Sequence, residues 1–227
     1  MKKLLSVLSV FALAAIAAGT ASAGPIATPT GLNPGDQFRF VFVTTTTTFA
    51  TSSDLSTYDS IVSSDATGYT YGGNSPIWKA IVSSAGIDAK DHIGLQSSSV
   101  VPLYTVIGTK VSGGNLWSEN LLSPMNASIS GTTINAPVWT GTGKDGSKDS
   151  NGNVMGANTV IFGQSLHTSN GTYINDTSYD PADVPVPLYG ISDVLTVPSA
   201  VPEPSTVMLV GLGGLAALGY SFKRKRA

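Results

Sequence analysis

Asp149, Asn151 and Asn153 alternate within Asp145-Gly-Ser-Lys-Asp149-Ser-Asn-Gly-Asn153, offering hard oxygen donors on a tight turn as a calcium loop does. The bidentate Glu that such a loop needs eleven positions after Asp149 is Val160, and Lys144 and Lys148 crowd the turn with positive charge. The spacing therefore favours a solvated Asx-rich turn, with a calcium site as the lesser reading. His92 and His167 are the only histidines, and neither sits in a Gly-x-Ser-x-Gly or His-Glu-x-x-His pattern. No enzyme is expected, and a secreted hydrolase is the least favoured alternative. The chain has no cysteine, which excludes thiolate zinc sites, iron–sulfur clusters and thiol nucleophiles. Trp78, Trp117 and Trp139 have the chemistry to stack on sugars, but their apolar neighbours favour core packing.

The elements that must position these residues lie between two unusual ends. Met1-Lys-Lys, the apolar Leu4–Ala18 and the small residues Ala21 and Ala23 have the order of a signal peptide over 1–23. Signal peptidase is then the first processing partner, and the mature chain is expected to begin at Gly24. Residues 24–200 are enough for one domain with a real core. Six basic residues there (Arg39, Lys79, Lys90, Lys110, Lys144, Lys148) face thirteen acidic ones without forming a basic patch, so nucleic acid is not an expected partner.

Within the domain, Phe38, Phe40 and Phe42 alternate with Arg39, Val41 and Val43, which predicts a strand over Gln37–Thr46 with one face buried. Leu55, Tyr58, Ile61 and Val62 recur at helical steps over Ser53–Ser64, with Ser53 or Asp54 as cap. Ser75, Pro76 and Gly86 punctuate a second predicted helix, whose buried stripe is Ile77, Trp78, Ile81, Val82 and Ala85. Val100–Val111 reads as strand material broken by Pro102 and Gly108. Asn115–Leu122 reads as a short helix turned inward through Leu116, Trp117 and Leu121. Pro137–Thr142 is a short strand, Gly143–Thr172 is mostly loop, and Leu188–Val197 is a closing strand able to pair with the first. The order predicts an α+β domain.

The last stretch has three ordered parts. Pro202-Glu203-Pro204 holds Glu203 extended, Val207–Phe222 is apolar, and Lys223, Arg224, Lys225 and Arg226 form a basic stop. Sixteen apolar residues fall short of the roughly 20 that span a bilayer, and snorkelling lysine and arginine tails extend the fit. A transmembrane helix over 207–222 is expected, with the basic tail 223–227 cytoplasmic. This region resembles the PEP-CTERM sorting signal, also labelled an ice-binding-protein C-terminal domain. The resemblance implies processing at Pro202-Glu203-Pro204 by an exosortase, a membrane transpeptidase-like protease of Gram-negative bacteria that make extracellular polysaccharide.

A second resemblance lies in the domain. Phe40-Val-Phe-Val-Thr-Thr-Thr, Trp78-Lys-Ala, Gly108-Thr-Lys-Val with Asn115-Leu-Trp, and Val138-Trp-Thr-Gly-Thr are similar to bacterial C-type-lectin-like domains. That implies two helices, a long loop region and paired terminal strands. The Glu-Pro-Asn type of sugar-ligating triplet is missing, so no lectin site residue carries over. The expected role is that of an exported surface or matrix protein, structural or adhesive in exopolysaccharide or biofilm. It is held transiently at the inner membrane before processing. A lectin-like carbohydrate-binding module is the alternative.

Overall fold

A computed structural model describes residues 24–117, 119–169 and 171–199. The signal segment 1–23 up to Ala23, the sorting segment 201–227 and its expected transmembrane helix lie outside the described residues. Among the described residues, no helix is long and apolar enough to cross a membrane.

The first strand, β1 (Gln37–Val43), is the spine, but its burial differs from the expectation of one covered face. Phe38, Phe40 and Phe42 enter one apolar cluster, while Val41 and Val43 enter a second on the opposite face. Both faces are covered because Leu55, Tyr58, Val62, Trp139 and Phe162 pack in the first cluster, while Ala89, Trp117 and Tyr173 pack in the second. β1 also runs through the middle of the larger sheet. That sheet also holds β2 (Trp78–Ala80), β3 (Leu103–Thr105), β4 (Lys110–Ser112), β8 (Tyr189–Ser192) and β9 (Leu195–Thr196). Its order is β2-β8-β1-β3-β4, with β9 also on β1. The pairing of β1 with β3 is parallel, and its pairings with β8 and β9 are antiparallel. The first and last strands therefore pair as expected. A three-stranded sheet follows the order β5 (Pro137–Trp139), β6 (Thr159–Gln164), β7 (Tyr179–Pro181). With mixed sheets and little helix, the domain is α+β in character and mostly strand.

The first helix, α1 (Leu55–Asp65), forms where its periodicity predicts. Asp54 is the cap, accepting from the Ser56 N–H at 3.0 Å, and Leu55, Tyr58 and Val62 are the buried face. The Tyr58 hydroxyl donates to the Ser52 carbonyl at 2.7 Å, and burial pushes its pKa up to about 12. Asp65 at the other end accepts from the Thr45 N–H and hydroxyl and from the Thr46 hydroxyl, so this part of the threonine run faces a carboxylate.

The second predicted helix is a correction. Residues 78–80 form β2, antiparallel to β8, with Trp78 and Ala80 buried and Lys79 exposed. Ile77, expected in a buried stripe, is 67% exposed. Tertiary pairing outweighs the local helix punctuation, because β8 needs a partner and α1 supplies the groups that finish the edge. The Ala80 N–H on the outer side of β2 donates to Asp59 Oδ1 at 2.8 Å, which blunts a sheet edge that would otherwise invite another strand. The second helix of the described residues is instead the single turn α2 (Ala89–His92).

Three further segments differ in detail. Val100–Val111 splits into the hairpin β3–β4 around Gly108, whose φ is +87°. The described part of Asn115–Leu122 is irregular rather than helical, because Asn115 Oδ1 takes the Trp117 N–H and the Leu121 N–H goes to the Thr168 carbonyl. Leu116, Trp117 and Leu121 are nevertheless buried as expected. Strand β6 lies inside the stretch read as loop.

The C-terminal end of the domain lies at the start of β1. Ile26 N–H donates to the Thr70 carbonyl at 2.7 Å, and Val197 exchanges backbone bonds with Gly35 and Asp36. The second sheet joins at the other end of β1. There Val43 pairs with Tyr189, and the neighbouring Leu188 bridges Trp139.

The Tyr189 hydroxyl is buried with no hydrogen-bond partner, and burial raises its pKa strongly. Tyr189→Phe removes an unmet donor and keeps the ring, so chemical denaturation should show a gain of up to about 1 kcal/mol. A loss of that size would instead mean that a bound water satisfies the hydroxyl.

Candidate functional site

The loop between β5 and β6 is built by its own side chains. Thr142 and Lys148 pair across a small hairpin closed by Gly143 N–H to the Ser147 carbonyl at 2.7 Å. At its tip, Gly146 has φ +80° and lies so close to Trp117 that an added Cβ would sit 2.6 Å from the indole ring. α2 docks alongside: Lys90 Nζ donates to Ser147 Oγ at 2.7 Å, and Lys148 N–H donates to Asp88 Oδ1 at 3.0 Å. Lys148 Nζ is held on the Ala85 carbonyl.

This hairpin lines a cleft of about 580 Å³, together with Asp149, Asn151, Asn153, Ile161, Asn175 and Thr177. Two lysines and two aspartates balance, and three carboxamides and several hydroxyls supply the remaining polarity. Burial works to raise the Asp145 carboxyl, yet bonds from the Ser147 N–H and hydroxyl, with Lys90 nearby, hold it below the ordinary value. Thr177, which also lines the cleft, has φ +60° and donates its N–H to Asn175 Oδ1 at 3.0 Å.

Asp149, Asn151 and Asn153 come together as their spacing suggests. Asp149 Oδ2 accepts from the Asn151 N–H, the Asn153 N–H and the Asn153 carboxamide at 3.1–3.2 Å. Asn153 Oδ1 takes the Thr159 hydroxyl at 2.7 Å. One carboxylate oxygen is thus committed to the turn's own donors, a donor set that suits an Asx turn better than a divalent cation. Among the described residues no cluster of three or more His, Cys, Asp or Glu stands ready for a metal.

His92 is half-buried, with Nε2 3.0 Å from Asp59 Oδ1, the same oxygen that holds the Ala80 N–H. The pair staples α2 to α1 and the edge of β2. Among the described residues, the side-chain partner of the His92 ring is Asp59 rather than a hydroxyl. His167 is exposed. The three tryptophans are all buried, so none of them offers an open stacking face. Sequence reasoning missed Asp59 and Asn175; Asp59 sits one residue from the buried Tyr58 stripe, and only the folded chain brings it to His92.

Gly24 is described at the domain's start, whereas Ala21, Ala23, Pro202, Glu203, Pro204 and Lys223–Arg226 lie outside the described residues. Residues 200–225 match the PEP-CTERM protein-sorting motif. That motif implies an exported protein, processed by an exosortase and sorted to the cell surface through a membrane-anchored intermediate. No curated protein matches the chain.

Proposed function

We propose that the sorted domain is a non-catalytic surface or extracellular-matrix protein, structural or adhesive within exopolysaccharide or biofilm. The sorting motif at 200–225 carries this reading. The route begins with signal peptidase between Ala23 and Gly24 and passes through an inner-membrane form held by Val207–Phe222 and the cations from Lys223 to Arg226. Exosortase then acts at Pro202-Glu203-Pro204. The double substitution Pro202→Ala/Pro204→Ala should trap a full-length membrane form in cell fractionation; unchanged processing and release would sink the sorting route.

The second reading is a lectin-like carbohydrate-binding module, and the polar cleft favours it. Its balanced charge and clustered carboxamides and hydroxyls match a neutral, hydroxyl-rich chain, and the paired terminal strands with a long loop region agree with a lectin-like arrangement. A glycan array of the detergent-solubilised protein, with and without calcium, separates the two. Neutral glycans should be retained at millimolar to micromolar Kd without calcium. Retention that requires calcium would reinstate the metal at Asp149, and no retention would leave the structural reading alone.

A further inference from the structure

A second pocket, of about 260 Å³, shares no lining residue with the polar cleft. It is lined by Arg39, Ile77, Lys79, Ile93, Ile191, Ser192, Asp193 and Val194. Arg39 comes from the spine of the sheet and is only 9% exposed. Its Nη1 donates to the carbonyls of Ile93 and Ser192 at 3.0 and 3.2 Å, and its Nη2 to that of Gly94 at 3.2 Å. A guanidinium has five N–H donors, so two remain, one on Nη2 and one on Nε, which is buried without an acceptor.

All three partners are neutral carbonyls. Among the described residues, no carboxylate lies within ion-pair distance of this buried cation. Burial depresses the Arg39 pKa and Asp193 only partly offsets it, from beyond contact distance. Asp193 has Oδ1 committed to the Ile77 N–H at 3.0 Å. Lys79 stands at the same pocket with Nζ held on the His92 carbonyl at 2.7 Å, leaving two of its three donors. Two cations therefore face one acid, in a domain whose overall charge is negative.

The rest of the lining is apolar. Ile93 and Ile191 are buried, while Ile77 and Val194 are exposed at 67% and 38% beside the charged groups. An excess cation under an aliphatic rim is the complement of a carboxylate that carries a short hydrocarbon body.

We propose that this pocket binds a short aliphatic carboxylate, its oxygens taking hydrogen bonds from Lys79 and the uncommitted Arg39 Nη2 donor, its hydrocarbon resting on Ile77 and Val194. Binding here is separate from glycan retention in the polar cleft, so either can fail without the other.

The test is a ¹⁵N-resolved titration of the full-length protein in detergent with butyrate, at constant ionic strength. Saturable shifts are expected at the amides of Gly94, Ile191, Ser192 and Asp193, with a Kd in the low millimolar range. Lys79→Gln, at an exposed position, should weaken binding by about fivefold, and Lys110→Gln, on β4, should leave it unchanged. Butyrate should also bind more tightly than glucuronate, and neutral butyramide should not saturate. Absence of saturable shifts in protein with a native spectrum would overturn the site. So would equal binding of butyramide, or indifference to Lys79→Gln. Tighter binding of glucuronate would overturn the aliphatic class.

Discussion

Gly163→Ala is expected to cost more than about 3 kcal/mol of folding stability, a loss at the upper end for a single added methyl group. Gly163 lies in β6, and an added Cβ would fall inside the carbonyl group of Tyr173, far under contact distance. The obstacle is backbone on both sides, so no rotamer change relieves it. The segment it would displace is tied to β6 by Gln164 N–H to the Thr172 carbonyl and by Asp176 N–H to the Phe162 carbonyl. It is tied to the remainder of the domain by the Tyr173 hydroxyl, held by the carbonyls of Leu116 and Glu119 at 2.6 and 2.9 Å. Asn175 and Thr177 belong to this segment, so the wall of the polar cleft moves with it. Denaturant unfolding is the measure. A midpoint corresponding to a loss under about 1 kcal/mol would show that the approach of β6 to Tyr173 is not needed for the fold.

Trp139→Ala should cost about 3–5 kcal/mol, the range for emptying a fully buried indole site. The ring lies in the cluster that also holds Phe42 and Leu188, and it meets Phe162 edge-on at 6.3 Å between centroids. Its Nε1 donates to the carbonyls of Thr48 and Val184 at 3.1 and 3.3 Å. Its own N–H reaches the Pro187 carbonyl at 3.0 Å while its strand pairs with β6, so one residue fastens the second sheet to the entrance of β8. Trp139→Phe keeps much of the volume and should lose roughly 1–3 kcal/mol, chiefly by leaving two carbonyls without their donor. If alanine at 139 unfolded no more easily than wild type, the two sheets would not share a core through this residue.

The parts of the fold written in short-range periodicity were legible beforehand. β1 announces itself by the alternation from Phe38 to Val43, and α1 by Leu55, Tyr58 and Val62 behind Asp54. Ser75, Pro76 and Gly86 satisfy every local rule for a helix, yet the partner that decides the matter, Ile191 opposite Lys79, is more than a hundred residues away. No window of sequence weighs that. β6 was hidden for a different reason: its apolar core, Val160 to Phe162, sits among glycine and asparagine that read as loop. Of the sites, the Asp149 turn was legible because its residues are neighbours in the chain. The Asp59–His92 staple and the Arg39 pocket were not, since each gathers residues from several elements. The one hint was an arginine standing inside the apolar run of β1.

The return of the chain at Val197 to the start of β1 gives the molecule a polarity. From Val197 to Glu203 is six residues, which reach at most about 20 Å even when fully extended. A protease acting at Glu203 therefore works in the shadow of the folded domain and has to accommodate its near pole. The second sheet, fastened at the far end of β1, lies away from that pole.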